Sequence, residues 1–369
     1  MSTTPTSLDA DALRAAVALA QLPGVGCAAF REHVGRYGSA AAAFAQVATR
    51  ADRDAALAKA DDALARARAC GAHILVLGEP GYPERLLDVR HPPSVCFALG
   101  RLELLDRPAV SIVGTRSSSQ AGERFTHRIA GHLAQFGAVI VSGMARGIDA
   151  AAHRGALDAG GSTIAVLAGG CDVPYPPTHR ALHRQIVQSG LVLSETPPGD
   201  WSLPGGFLRR NRIIAALGHA VIVVEAGAKS GATTTADLAT GMGRSVGAVP
   251  GWVDSPRSIG TNELLHNGAT IIRDVHDARQ LASRATNGAI PEKEPETGAR
   301  ATAAGAAPSS DGDPAADAVL RALGAGAASL DEVAVRTGLA ARDLGAAIST
   351  LEVAGVVWSD HRGALRLVR

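Results

Sequence analysis

The chain has 369 residues, 46% of them hydrophobic and 19% charged, which is ordinary for a soluble globular protein and enough for two or three domains. A formal net charge of +1 excludes a uniformly basic, nucleic-acid-coating surface, so a site for a polyanion has to be a local concentration of arginine. Cys27, Cys70, Cys96 and Cys171 form no C-x-x-C pair, which points away from a disulfide framework or a zinc site and toward buried reduced thiols.

The first residues are polar, without the basic and apolar regions of a signal peptide. No apolar run approaches the ~18 residues a membrane helix needs, so a cytoplasmic protein without membrane insertion is expected. Residues 8–70 are Ala-rich, and Leu13, Val17 and Ala20 share a face at helical spacing, so 1–72 is expected to be a small helical domain. "LPGVG" (22–26) is a tight turn between two helices, similar to a helix-hairpin-helix. Such a turn can offer N–H groups to a phosphate or simply connect two packed helices. The scarcity of flanking basic residues favours the plain connection.

"HILVLG" (73–78) and "SVCFALG" (94–100) read as strands bounded by Gly and Pro. From residue 109 apolar strands recur at 109–114, 138–143, 162–170, 190–195, 220–226 and 245–251. Helical patterns fill the gaps at 120–136, 147–159, 178–189, 207–217 and 231–242. This alternation predicts an α/β fold, a Rossmann-like doubly wound parallel sheet, within a core spanning 73–284. Residues 285–314 are Ala, Gly, Pro, Ser and charge without periodicity, and are expected to be a flexible linker. Residues 315–369 suggest a winged-helix domain, opened by the capping box "SLDE" at 329–332. Its second helix near 341–353 carries Arg342 but is otherwise acidic or apolar. A protein-contact or regulatory module is expected there rather than a base-reading helix.

Five stretches follow the carboxyl ends of these strands, where a parallel sheet gathers its ligands. In "VGTRSSSQAG", Gly114 and Thr115 present backbone and hydroxyl groups suited to phosphate, and Arg116 adds a bidentate guanidinium. The stretch is neither G-x-G-x-x-G nor a P-loop, so no dinucleotide cofactor is expected. In "VSGMARGIDAAAH", Ser142 and Gly143 end a strand and Arg146 enters the next helix. Asp149 can orient Arg146 from the first helical turn, but it and His153 read best as structural, because no nucleophile stands beside them. "GGCDVPYPPTHRAL" (169–182) is a Pro-stiffened loop. "FLRRNRIIAAL" places Phe207 ahead of Arg209, Arg210, Asn211 and Arg212, three arginines in four residues. Phe207 suits stacking on a base or wedging beneath one, or anchoring the helix start in the core. The three arginines cannot all face one crevice, so some must be structural. Finally, in "VEAGAKSGATTTADLA", Ser230, Gly231 and Thr233 open a helix whose N-terminus suits an anion. Glu225 stands beside it, with Glu195 as its only nearby acidic partner for glycosyl chemistry.

Taken in order, "SGMARGIDAAAHRGAL", "AVLAGGCDVPYP", "LVLSETPPG", "FLRRNRIIAALGHAVIVVEA", "SGATTTADLA" and "GRSVGAVPG" resemble the DprA/Smf family of DNA-processing proteins over roughly 100–275. The resemblance implies a single-stranded DNA-binding protein, usually a homodimer. It implies help in loading the RecA recombinase, protection of incoming DNA during natural transformation, and no catalytic activity. By the same resemblance, "GTR" at 114–116 and the "FLRRNR" segment match family phosphate-binding motifs, which makes Arg116 the foremost expected DNA contact. After Tyr175-Pro176 the family often has a basic residue and then Asn. Here Pro177, Thr178 and His179 stand instead, with Arg180 or Arg184 as replacements.

The alternative reading is a Rossmann-like nucleotide sensor or nucleoside monophosphate hydrolase. The hydrolase signature Gly-Gly-x-Gly-Thr-x-x-Glu is not met by "SGATTTADLA", which lacks the tandem glycines and the final Glu.

Overall fold

Continuous runs of Val, Ile, Leu and Ala leave a strand no polar face, so such strands must be covered on both sides. The computed structural model describes residues 8–202, 205–292, 314–324, 329–353, 356–359 and 365–367. The chain divides into two units, Met1–Pro295 and Glu296–Arg369.

The first unit opens with four helices, α1 (Ala10–Ala20), α2 (Cys27–Tyr37), α3 (Ala40–Val47) and α4 (Arg50–Cys70). Asp9, Ser39 and Thr49 cap α1, α3 and α4 with their side chains, each accepting a backbone N–H of the first turn. Strands β1 (His73–Val76) and β2 (Val95–Gly100) follow, then β3 (Ala109–Val113). The alternation then runs α5 (Gln120–Gln135), β4 (Val139–Ser142), α6 (Ile148–Asp158), β5 (Thr163–Leu167), α7 (Arg180–Ser189), β6 (Leu191–Ser194), α8 (Gly206–Leu217), β7 (Ala220–Val223), α9 (Gly231–Gly241) and β8 (Ser245–Ala248). Helix α10 (Ile259–His266), the two-residue β9 (Thr270–Ile271) and α11 (Val275–Ala285) complete the unit.

The strand order is β1-β2-β6-β5-β4-β3-β7-β8-β9. From β6 through β9 every pairing is parallel, as the strand–helix alternation predicts. The departure is at one edge, where β2 pairs antiparallel to β6, with Phe97 opposite Ser194, and β1 pairs antiparallel to β2. The Pro-rich connection between β1 and β2 carries only a short 3-10 turn at Glu84–Asp88, with no crossover helix to bring the second strand back parallel.

Packing is continuous across two of the expected boundaries. Residues 8–72 do not pack as a separate domain: Val17, Leu19 and Phe30 share one hydrophobic cluster with Phe97, Leu99, Ile186 and Val192 of the sheet and its helices. The helical layer is thus a covering of the β1–β2–β6 side. The stretch expected to be a linker from 285 begins inside α11, and Ile290 is fully buried in the cluster that holds Leu281 and Ala282. The rest of that stretch, 293–313, lies outside the described residues.

The second unit contains α12 (Pro314–Gly324), α13 (Leu330–Thr337), α14 (Ala341–Val353) and an antiparallel hairpin of β10 (Val357–Ser359) and β11 (Leu365–Leu367). Three helices and a two-stranded wing around Val319, Val333, Leu351 and Val357 make a winged helix. Ser329 caps α13 by accepting the Glu332 N–H, and Arg342 is exposed on α14. Among the described residues no helix is long and apolar enough to cross a membrane.

His153 on α6 joins helix to sheet. It is fully buried, with Nδ1 2.6 Å from Thr163 Oγ1 on β5. Burial first, and then the positive charge of Arg210, push its pKa down to about 3, so the folded protein holds it neutral. The unfolded chain takes up a proton there near pH 6.5, the ordinary value, and the folded chain does not. Stability from this residue is therefore complete above pH 6.5 and is lost as the pH falls toward 3. Urea denaturation should show a loss of about 2 kcal/mol between pH 7 and pH 5 from this group, and His153→Gln should flatten that part of the profile.

Candidate nucleic-acid interface

Strand order reverses between β3 and β7, so the loops leaving these two neighbours diverge and open a crevice at their carboxyl ends. A cavity of about 420 Å3 lies there. Gly114, Thr115 and Arg116 line it from β3, Phe207, Arg210 and Asn211 from α8, and Ser230 and Gly231 from α9.

Its floor is a buried arginine. Arg210 is 6% exposed; its Nη1 donates to the Gly143 carbonyl at 2.8 Å and to the Val166 carbonyl, and its Nε donates to Asn211 Oδ1. Asn211 Nδ2 in turn donates to the Gly231 carbonyl at 3.0 Å, joining α8 to the start of α9. A Cβ at position 143 would fall on the Arg210 guanidinium, so only glycine fits there. Burial pushes the Arg210 pKa down to about 10, which still leaves it charged at neutral pH. Asp149 is buried beside it; burial raises the carboxyl pKa, and the charge of Arg210 draws it back. Asp149 accepts the Ala145 N–H and does not hold Arg146, which is exposed.

Several side chains of the expected contact set are already engaged within the protein. Arg210 and Asn211 are structural, and Ser142 is fully buried with its hydroxyl donated to the Ile112 carbonyl at 2.6 Å. Gly143 is buried under Arg210. Arg212 forms a two-point pair with Glu195, at 2.8 and 2.7 Å, and Arg209 approaches the same carboxylate at 3.6 Å. The reason is helical geometry: at ~100° per residue, Arg209 and Arg212 lie within about 60° of each other, and Arg210 points elsewhere. The Thr115 N–H is occupied by the Glu225 carbonyl at 2.7 Å. Ser230 and Thr233 close a capping box on α9 instead of presenting free hydroxyls. Glu225 accepts the Ser119 N–H and hydroxyl. Glu195 and Glu225 follow β6 and β7, four strand positions apart, roughly 19 Å, so they form no carboxylate pair.

The rim keeps the groups that face outward. The Arg116 guanidinium lies over the Phe207 ring, 4.7 Å from its centroid, and Tyr175 meets the other aromatic partner position with centroids 5.2 Å apart. Arg146 joins Arg116 and Tyr175 around a smaller neighbouring cavity. Trp201, 63% exposed, lines a further one with Tyr175 and Phe207. Sequence reasoning singled out neither Tyr175 nor Trp201. The available signal was scarcity: with 3% aromatics, a Tyr or Trp in a Pro- and Gly-rich loop past a strand end is conspicuous. Arg180 and Arg184, the suggested replacements, are exposed on α7.

All four cysteines are free, and burial pushes the thiols of Cys70, Cys96 and Cys171 up, so they stay protonated. Among the described residues no cluster of His, Cys, Asp and Glu could hold a metal ion.

Comparison with known proteins bears on this geometry. A family model described as DNA recombination-mediator protein A matches residues 73–283. The chain belongs to the DprA family. The DprA winged-helix model matches residues 301–360. A putative DNA processing protein DprA of Mycobacterium tuberculosis is 41% identical over 282 residues, covering 76% of this chain and 70% of that one. The X-ray structure of DprA from Streptococcus pneumoniae aligns with a TM-score of 0.64 at 32% identity, over 75% of this chain and 97% of that one. DprA from Helicobacter pylori, whose solved structure is described for its single-stranded DNA binding mode, aligns with a TM-score of 0.53 at 32% identity, over 59% of this chain and 98% of that one.

Floor and rim should separate in a denaturation experiment. Arg210→Ala leaves the buried Gly143 and Val166 carbonyls without their donor, and should cost about 2–5 kcal/mol in urea unfolding. Arg116→Ala, at an exposed position, should stay within about 0.5 kcal/mol of the parent.

Proposed function

We propose that this DprA-family chain is a non-catalytic, cytoplasmic protein that binds single-stranded DNA at the crevice between β3 and β7. The observation that carries the reading is the stack of Arg116 on Phe207 beside Tyr175, at the switch point of the sheet. A guanidinium and two rings offer a base a π-surface, while Arg116 and Arg146 offer a backbone phosphate two outward charges. Stacking platforms with local positive charge bind single strands with little sequence preference. The Helicobacter pylori relative, described for its single-stranded DNA binding, supports the same substrate. The family resemblance extends the reading to protection of incoming DNA and RecA loading by a homodimer in natural transformation and recombination.

Gly114, Thr115, Ser230 and Gly231 shape the wall of the crevice, and Arg116, Arg146, Phe207 and Tyr175 make the contacts. A cavity of about 420 Å3 also suits a mononucleotide, so the deciding experiment is titration of labelled oligo-dT against a mononucleotide competitor. Length-dependent binding that mononucleotide displaces poorly is expected; tight mononucleotide binding with weak oligonucleotide binding would sink the proposal in favour of a nucleotide sensor. Phe207→Ala should weaken binding about 5- to 160-fold, from ~1–3 kcal/mol of stacking per base. Arg116→Ala should weaken binding and reduce the slope of log K against log salt by about 0.7, one phosphate's share for a single strand.

A further inference from the structure

The loop after β8, residues 249–258, carries two of the most exposed apolar side chains of the first unit, Trp252 and Val253, 73% and 74% exposed. Nothing in the crevice requires them. The loop is nevertheless firmly held. Gly251 and Asn262 exchange two hydrogen bonds of 3.1 Å, and the turn closes with the Ser255 N–H donating to the Trp252 carbonyl at 3.0 Å. A rigid turn presenting a bare indole ring to solvent is what a contact surface looks like.

Its anchoring also says where it faces. The Ala226 N–H donates to the Arg257 carbonyl at 2.7 Å, which pins the loop to the end of β7. Arg257 Nε donates to the Ser117 carbonyl at 2.6 Å, which pins it to the loop carrying Arg116. Trp252 therefore belongs to the same carboxyl-terminal edge of the sheet as the crevice, two strand positions beyond β3, about 10 Å. Arg257 is exposed on this loop, and so is Lys229 on the neighbouring loop after β7. Asp254 at the tip is the opposing charge, so the strip from Arg116 to the Trp252 turn remains net positive.

We infer that Trp252 is an outlying base-stacking subsite, with Lys229 and Arg257 serving the phosphates between it and Arg116. A single strand leaving the Arg116–Phe207 stack would run along the strand ends toward β8 and set a base on the indole. The inference rests on the single-strand reading of the crevice. Trp201, beyond β6, and Trp252, beyond β8, then bound a track five strand spacings long, about 24 Å. That is roughly seven nucleotides at the 3.4 Å helical rise, and fewer if the strand is stretched.

The experiment compares 4-nucleotide and 12-nucleotide oligo-dT on the full-length protein by anisotropy. For Trp252→Ala the 12-mer should bind about 10-fold more weakly, the 4-mer should bind as to the parent, and Trp252→Tyr should restore most of the difference. Equal affinity of parent and Trp252→Ala for the 12-mer would overturn the subsite. A Trp252→Ala variant that changes only its sedimentation behaviour would do the same, and would assign the exposed pair to a protein contact. If the parent binds neither oligonucleotide, the reading of the crevice itself fails, and that outcome is distinct from a parent that binds both. Because Trp252 is exposed, an unchanged melting temperature establishes that the variant is folded.

Discussion

An arginine inside the protein organises the crevice. Arg210 reaches under the sheet edge to two carbonyls, at Gly143 past β4 and at Val166 near the end of β5. Backbone acceptors at strand ends have lost their ladder partners, and in a dry interior each must find a donor. One guanidinium supplies donors for both and fixes where α8 begins. Where α8 begins decides where Phe207 stands, one turn ahead. The surface therefore displays only what the interior has positioned. Its charge also works outward: Arg116 and Arg210 repel across the crevice, and that shared positive field is relieved by an anion.

The N-terminal helices act on the site in a similar, indirect way. Arg66 on α4 donates to Asp200 Oδ1 at 2.6 Å, and the Asp200 carbonyl accepts the Gly170 N–H at the end of β5. The loop bearing Trp201 is thus held between the helical layer and the sheet. The Pro-Gly turn at 22–26 leads into α2, whose first residue, Cys27, lies 3.6 Å from Glu195 through its thiol. That contact sets the turn beside the loop that follows β6.

The alternation of apolar runs and helical patterns from 109 to 248 made the sheet legible, because parallel strands cannot hide a polar face. It also led to one candidate edge, since the loops leaving parallel strands gather at their carboxyl ends. The division of labour among Arg209, Arg210 and Arg212 was not legible. It depends on 100° steps around α8 and on the missing Cβ of Gly143, and neither is a matter of composition. The docking of residues 8–72 was hidden for another reason. An alanine face at helical spacing says that something is buried, not what buries it. Tyr175 and Trp201 fell in irregular loops, where no periodicity points to a partner.

The three tryptophans, Trp201, Trp252 and Trp358, are 63%, 73% and 55% exposed, so the native fold places every indole in water. With that exposure, their emission is expected to change little when the chain unfolds. Intrinsic fluorescence should therefore report little of unfolding, while a ligand settling beside Trp201, next to Tyr175 and Phe207, would meet a fluorophore directly.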